Sequence, residues 1–253
     1  MTVTAARETG TGRRSRVRAA AVAEVVCVGV LYAGYSLARN LVPVDAGAAR
    51  ARASDVLHLE RLLRLDVEAA ANSWLSAHAG LALAASYWYA ALHFAVTPVL
   101  LVLLWVQAPR ATYRLLRTTL VVATALALIG YVAFPLMPPR MLAGYTDTMA
   151  QTAGSGWWGA EAGAPRGLGG LTNQFAAMPS MHVGWAVWCA LAATALLPAG
   201  RWRVLVWLYP LGTLAVVVAT ANHYVVDGLV GAALLLAVFA ALRRAARGGP
   251  VRR

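Results

Sequence analysis

The chain has 253 residues, of which 60% are hydrophobic and only 13% charged, and its mean hydropathy is +0.62. Soluble domains carry roughly 25% charged residues, so this composition excludes an ordinary soluble domain and points to one integral membrane domain. The net charge of +12 does not describe a nucleic-acid surface, because the basic residues, all 22 of them arginine, fall in short clusters between apolar runs. That is the pattern of basic cytoplasmic loops in a membrane protein, and no nucleic-acid partner is expected.

In chain order, residues 1–18 are polar and carry five arginines, which predicts a disordered cytoplasmic tail. The first apolar run, 19–37, predicts an uncleaved first span that contains Glu24; a cleaved signal peptide is the alternative. Cys27 in this run and Cys189 further on read as small packing residues, with no metal-type spacing and no disulfide framework. Residues 39–79 are mixed. Val56, Leu59 and Leu63 recur at helical spacing, with Asp55, Glu60, Arg61, Arg64 and Glu68 at other positions. This predicts an amphipathic helix on the membrane surface, serving as a lid or, more simply, as an interfacial packing element.

Further spans are predicted at 80–106, 115–134, 180–197, 204–221 and 224–242. Pro135, Pro138 and Pro139 stop the third span. A long Gly-rich loop follows at 141–177, with Trp157 and Trp158 read as interface aromatics along with Tyr87 and Trp88. His93 falls deep in the second span and reads as a packing or helix–helix hydrogen-bonding residue. The expected fold is therefore all-α: a polytopic membrane protein of six transmembrane helices plus one amphipathic interfacial helix. Its domain spans 19–242 between a basic tail at 1–18 and another at 243–253. Six spans put both termini on one side. That side collects fifteen arginines and the other seven, so the termini are expected to be cytoplasmic in the plasma membrane. The same assignment places Arg140, Ser180, His182, His223 and Asp227 at the extracytoplasmic face.

These five residues form the candidate site. His182 and His223 are separated by two spans and a turn, which returns the chain to the face it left. His223 and Asp227 stand four apart, so on a helix they share a face, and a carboxylate there fixes the imidazole tautomer and stabilises a charged adduct. Pro179-Ser180 reads as a helix start, whose N–H groups and positive dipole end suit a phosphate. Arg140 offers a planar fork to phosphate oxygens. One imidazole as nucleophile, one as general acid, an orienting carboxylate and phosphate donors make a phosphoryl-transfer site at a membrane boundary. It requires no metal and no cofactor, and a lipid phosphate is its natural substrate.

Pro179-Ser180-Met181-His182 and His223-Tyr224-Val225-Val226-Asp227 resemble the second and third motifs of the type-2 phosphatidic acid phosphatase superfamily. The resemblance covers about residues 80–242. Met181 replaces the usual Gly, and Val217 stands where the third motif carries Arg. Pro138-Pro139-Arg140 stands for the first motif; Arg110 with Arg117 has the competing spacing but falls on the cytoplasmic side. Pro-Pro-Arg, Pro-Ser-x-His and Asn-His-Tyr-x-x-Asp resemble the branch containing inositol phosphorylceramide synthases. The resemblance implies His223 as nucleophile, Asp227 as its orienting partner, and His182 as the acid for the leaving group. It also implies Ser180 and Arg140 as phosphate ligands, with water or an alcohol such as inositol as acceptor. Arg166 in the outer loop is a candidate replacement for the missing arginine. The competing readings are a transporter or channel with a His/Asp proton relay, a lipid-binding scaffold without activity, and an intramembrane serine protease built on Ser180.

Overall fold

A computed structural model describes residues 45–159, 166–167 and 173–248. The predicted tail at 1–18, the predicted first span at 19–37 with Glu24 and Cys27, and the last five residues lie outside the described residues. Among the described residues the protein is all-α. Its helices are α1 (Ala46–Leu63), α2 (Glu68–Ser76), α3 (Ala79–Gln107), α4 (Arg110–Ala133), α5 (Thr148–Thr152), α6 (Met181–Leu196), α7 (Trp202–Ala219) and α8 (Val225–Gly248).

Helices α3, α4, α7 and α8 are long and apolar enough to cross a membrane, and by helix length and hydropathy the chain is a multi-pass membrane protein. Helix α6, with 16 residues, is only about 24 Å long, less than the roughly 30 Å of a hydrocarbon core. Its place explains the shortness. It contacts α3, α4, α7 and α8, and Val183, Gly184, Ala186, Val187, Trp188, Cys189, Ala190 and Ala192 are all buried. A helix apolar on every side is one enclosed by others, and α6 is the axis of the bundle. The predicted spans at 80–106, 115–134, 180–197, 204–221 and 224–242 correspond to α3, α4, α6, α7 and α8. Helix α4 begins earlier, at Arg110, and α8 runs on to Gly248 through arginines that the sequence assigns to the tail. Long arginine stems continue a helix past the apolar boundary while their heads stay in water.

Without a hydrophobic drive between helices in lipid, close contact comes from small residues and buried polar bonds. Both operate here. A Cβ on Gly231 would collide with the backbone of Ser180, and one on Gly184 would sit 3.2 Å from the carbonyl of Gly231; the start of α6 and the first half of α8 touch backbone to backbone. The indole N–H of Trp188 donates to the Leu116 carbonyl at 2.8 Å, that of Trp185 to Thr124 Oγ1 at 3.0 Å, and that of Trp88 to Thr213 Oγ1 at 3.1 Å. Cys189 is buried and free, as a packing residue should be.

The 39–79 region departs from expectation. Its described part, from residue 45 on, holds helices α1 and α2, broken where Arg64 adopts a left-handed φ of 56°. The buried stripe of α1 is Ala49, Ala53, Val56 and Glu60, while Leu59 and Leu63 are 43% and 55% exposed. Glu60 and Glu68, read from sequence as polar-face charges, are fully enclosed. The 141–177 loop contains α5, N-capped by Asp147 through the Ala150 N–H at 2.9 Å. Trp158 is not an interface aromatic: it is buried with its indole N–H on the Met149 carbonyl, whereas Trp157 is 42% exposed.

Because the α6–α8 crossing is fixed by backbone contact, Gly231→Ala is expected to lower unfolding stability by about 1–3 kcal/mol, the usual cost of overpacking. Thermal unfolding of the detergent-solubilised protein, followed by tryptophan fluorescence, measures this.

Candidate active site

The site lies at one end of the bundle. Helices α4 and α7 arrive there, and α6 and α8 leave. The chain turns between α7 and α8 on Ala221, which takes a left-handed φ of 57°. That reversal lets the N–H groups of Asn222 and His223 both donate to the Val217 carbonyl at 3.1 Å. His223 thus sits in the turn and not on α8, so the expected shared helix face does not form. Asp227 instead reaches back from the first turn of α8.

The His223 ring is held at Nδ1, 2.8 Å from the Ala177 carbonyl and 3.4 Å from Asp227 Oδ2. A carbonyl only accepts, so Nδ1 carries the proton and Nε2 of the neutral ring holds the lone pair. Asp227 Oδ2 also accepts the Tyr224 N–H at 3.0 Å, and Asp227 is fully buried. The Asp227 carbonyl in turn accepts the Ser180 N–H at 2.9 Å, which ties the starts of α6 and α8 together.

Ser180 occupies the N-cap position of α6, but its side chain makes no capping bond. The hydroxyl is buried and has no hydrogen-bond partner among the described residues. His182, within the first turn, has its ring centroid 5.6 Å from that of His223. Tyr89 stacks on it at 4.1 Å, and His93 meets it edge-on at 4.4 Å. Tyr89 lies within the π-helical turn Trp88–Leu92 of α3 and His93 directly follows it, a widened turn of the kind often found at functional sites. His93 is therefore a packing residue, as expected, and what it packs on is His182.

Arg140 enters from the segment between α4 and α5. Its backbone N–H donates to the Ala221 carbonyl at 2.8 Å. Its Nε donates to Asn222 Oδ1 at 3.0 Å, and its Nη1 pairs with Asp147 Oδ2 at 3.4 Å. Asn222 is itself braced through Nδ2 on Thr220 Oγ1 at 3.0 Å. All five expected residues are thus gathered at one end of the bundle. Val217 is buried in α7. Arg166 is not brought to the site; its Nη2 donates to the carbonyls of Ala153 and Gly156 and closes its own loop. Arg110 lies at the opposite end of α4 from Arg140, by the length of that helix.

Sequence reasoning missed Glu60 and Glu68. The Val225 N–H donates to Glu68 Oε1 at 3.0 Å and the Val226 N–H to Glu60 Oε1 at 2.8 Å. Two interfacial carboxylates therefore hold the first turn of α8. Burial, then the hydrogen bond and charge of Glu68, push the Glu60 carboxyl up to about 8. The available signal was the Ala49, Ala53, Val56 spacing, which continues at Glu60. Asn72 was missed as well: it donates to the carbonyls of Thr146 and Ala219, both at 3.0 Å, and accepts the Thr146 N–H at 2.8 Å. Among the described residues, no three His, Cys, Asp or Glu side chains gather as metal ligands would.

A helical membrane bundle with two imidazoles, a buried carboxylate and a tethered guanidinium at one end defines a class of membrane-embedded phosphate-ester enzymes. The PAP2 superfamily model matches residues 54–241, and the chain belongs to that superfamily. Its members are metal-independent phosphatases and phosphotransferases, and this protein is a membrane phosphatase or phosphotransferase for a phosphate ester. Neither the curated proteins nor the solved structures gave a match.

Asn222→Ala removes the acceptor that orients Arg140 Nε. It is expected to weaken inhibition by orthovanadate about tenfold, the worth of one good charge-assisted bond, and to lower stability by about 1–3 kcal/mol because the buried Arg140 Nε loses its acceptor. Inhibition curves on the two proteins measure it.

Proposed function

We propose that the protein transfers the phosphoryl group of a lipid phosphate through a phosphohistidine on His223, at the extracytoplasmic face. The observation that carries this reading is the pairing of His223 Nδ1 with the Ala177 carbonyl and the Asp227 carboxylate, which leaves Nε2 as the nucleophilic nitrogen. Nε2 attacks phosphorus, the P–N bond forms, and the P–O bond to the lipid breaks. Protonated His182 gives its proton to the departing oxygen. Asp227 stabilises the positive charge that develops on the His223 ring. In the second step His182 takes a proton from water or from an alcohol such as inositol. That oxygen attacks the phosphohistidine, and His223 is released.

The phosphate oxygens are held by the Arg140 fork, by the buried Ser180 hydroxyl and by the free N–H groups at the start of α6. The arginines of 110–117, 201–203 and 243–247 lie at the bundle end away from the site, which supports an extracytoplasmic site under the positive-inside rule. The Pro-Pro-Arg and Asn-His-Tyr-x-x-Asp motifs favour an inositolphosphotransferase-like activity within the superfamily.

The test is turnover of labelled lipid phosphates by the purified protein in EDTA, with and without inositol. Phosphate release or transfer to inositol is expected, with acid-labile, base-stable labelling of the protein. His223→Ala is expected to lose activity by at least 10³-fold, the scale of nucleophile loss. Unchanged turnover in that variant would sink the nucleophile assignment, and a strict need for divalent metal would sink the metal-free mechanism.

A further inference from the structure

We infer that Glu60 and Glu68 form a carboxyl clamp on the first turn of α8 and are positioning residues for the His223–Asp227 pair. This inference rests on the phosphoryl-transfer reading of that pair.

The geometry is specific. Tyr224, Val225 and Val226 present successive backbone N–H groups at the start of α8. Asp227 takes the first, Glu68 the second and Glu60 the third. A helix leaves its first N–H groups without partners of its own, and here no turn of solvent-exposed chain precedes them, because Tyr224 is fully buried. Interfacial helices α1 and α2 supply the missing acceptors from 157 to 166 residues away in sequence. Whatever moves α1 or α2 therefore moves the turn that carries His223 and the helix that carries Asp227.

Each glutamate spends one oxygen on α8. The second oxygen of Glu60 finds no donor among the described residues, and its neighbour is the Glu68 carboxyl. Two acceptors in contact need a proton between them. The titratable groups that face Glu60 are Glu68 from α2, Asp227 from α8, Tyr224 from the turn before it, and Tyr145 from the segment before α5, which also feels Asp66 and Arg61. Among the described residues no arginine or histidine forms an ion pair with Glu60. The positive end of the α8 dipole offsets part of the charge, and a shared proton supplies the rest. Burial raises the Glu60 carboxyl to about 8, so at neutral pH the clamp holds its proton. As pH rises through that value two adjacent anions remain, they repel, and the α8 N–H groups lose their acceptors.

The linkage has a definite sign. The folded clamp binds a proton between the ordinary carboxyl value of 4.5 and about 8, where the unfolded chain does not. Its contribution to stability is full below that window and falls as pH rises across it.

The test uses the full chain in detergent micelles, with dioctanoyl phosphatidate as probe between pH 5.5 and 9.5. Glu60→Ala is expected to lower kcat by about tenfold or more through misplacement of the reacting groups. Glu60→Gln keeps an acceptor for the Val226 N–H and offers Glu68 a donor that does not titrate. It is expected to restore the activity lost in E60A and to move the alkaline limb of the kcat profile upward by at least one pH unit. An E60Q profile superimposed on that of the wild type, or wild-type kcat in E60A, would overturn the clamp. His223→Ala, run alongside, separates the two claims: if it turns over the probe, the nucleophile assignment fails regardless of the Glu60 results. A readout free of substrate runs in parallel. The thermal transition of the wild type is expected to fall more steeply from pH 5.5 to 8 than that of E60Q, and equal slopes would also overturn the proposal.

Discussion

The start of α8 is the point on which the site depends. A helix that begins inside a protein exposes donors, and each buried donor left unpaired costs about 1–3 kcal/mol. Here three donors in succession meet three carboxylates, one from α8 itself and two from the interfacial layer. Asp227 is bound twice by this arrangement. Its side chain caps its own helix and contacts His223, and its carbonyl receives the Ser180 N–H. The beginnings of α6 and α8 are therefore one hydrogen-bonded unit, closed by the backbone contact at Gly231.

Around this unit the labour divides by depth. The long helices bring the parts to one end, and short polar bonds set their directions. Ala177, before α6, fixes the proton on His223. Met137, between α4 and α5, accepts the Tyr224 hydroxyl at 2.8 Å, and Arg52 Nη1 reaches the neighbouring Pro135 carbonyl at 3.0 Å. Asn72 fastens α2 to the end of α7 and to the segment carrying Asp147. The interfacial helices are thus built into the site. A surface helix held only by its apolar face would leave Glu60, Glu68 and Asn72 in water.

Much of this was legible in the sequence, for physical reasons that can be named. Spans are legible because some twenty apolar residues in a row have few alternatives. The site was legible because Ser180, His182, His223 and Asp227 are polar residues at span ends, and span lengths alone return them to one face. What the sequence hid was polar residues doing buried work inside a mixed segment. Glu60 and Glu68 stand among Asp55, Arg61 and Arg64, where any charge looks solvated. The Leu59 and Leu63 side chains suggested the wrong stripe, because two alanines and a valine bury closely against a neighbour while leucines remain outside. The four-residue spacing of His223 and Asp227 allows a shared helix face. The left-handed Ala221 ended that, and no residue preference marks alanine for such a turn.

The position of the absent third-motif arginine is buried and apolar. Val217 lies in the apolar wall between α6 and α7, packed with Val183 and Val218, and its carbonyl anchors the turn that carries His223. An arginine there would have to leave that wall or bury its charge. Two other arginines at this end are committed elsewhere: Arg52 to Pro135 and the Phe134 ring, Arg166 to its own loop. Arg140 differs because its tether is at Nε. Asn222 holds that nitrogen in plane, Asp147 meets Nη1 at a longer distance, and Nη2 makes no hydrogen bond among the described residues. A guanidinium held at Nε and Nη1 keeps a fixed orientation and leaves Nη2 for the phosphate contact proposed for it. Asn222 is adjacent to the proposed nucleophile, so the same turn that carries His223 also orients Arg140.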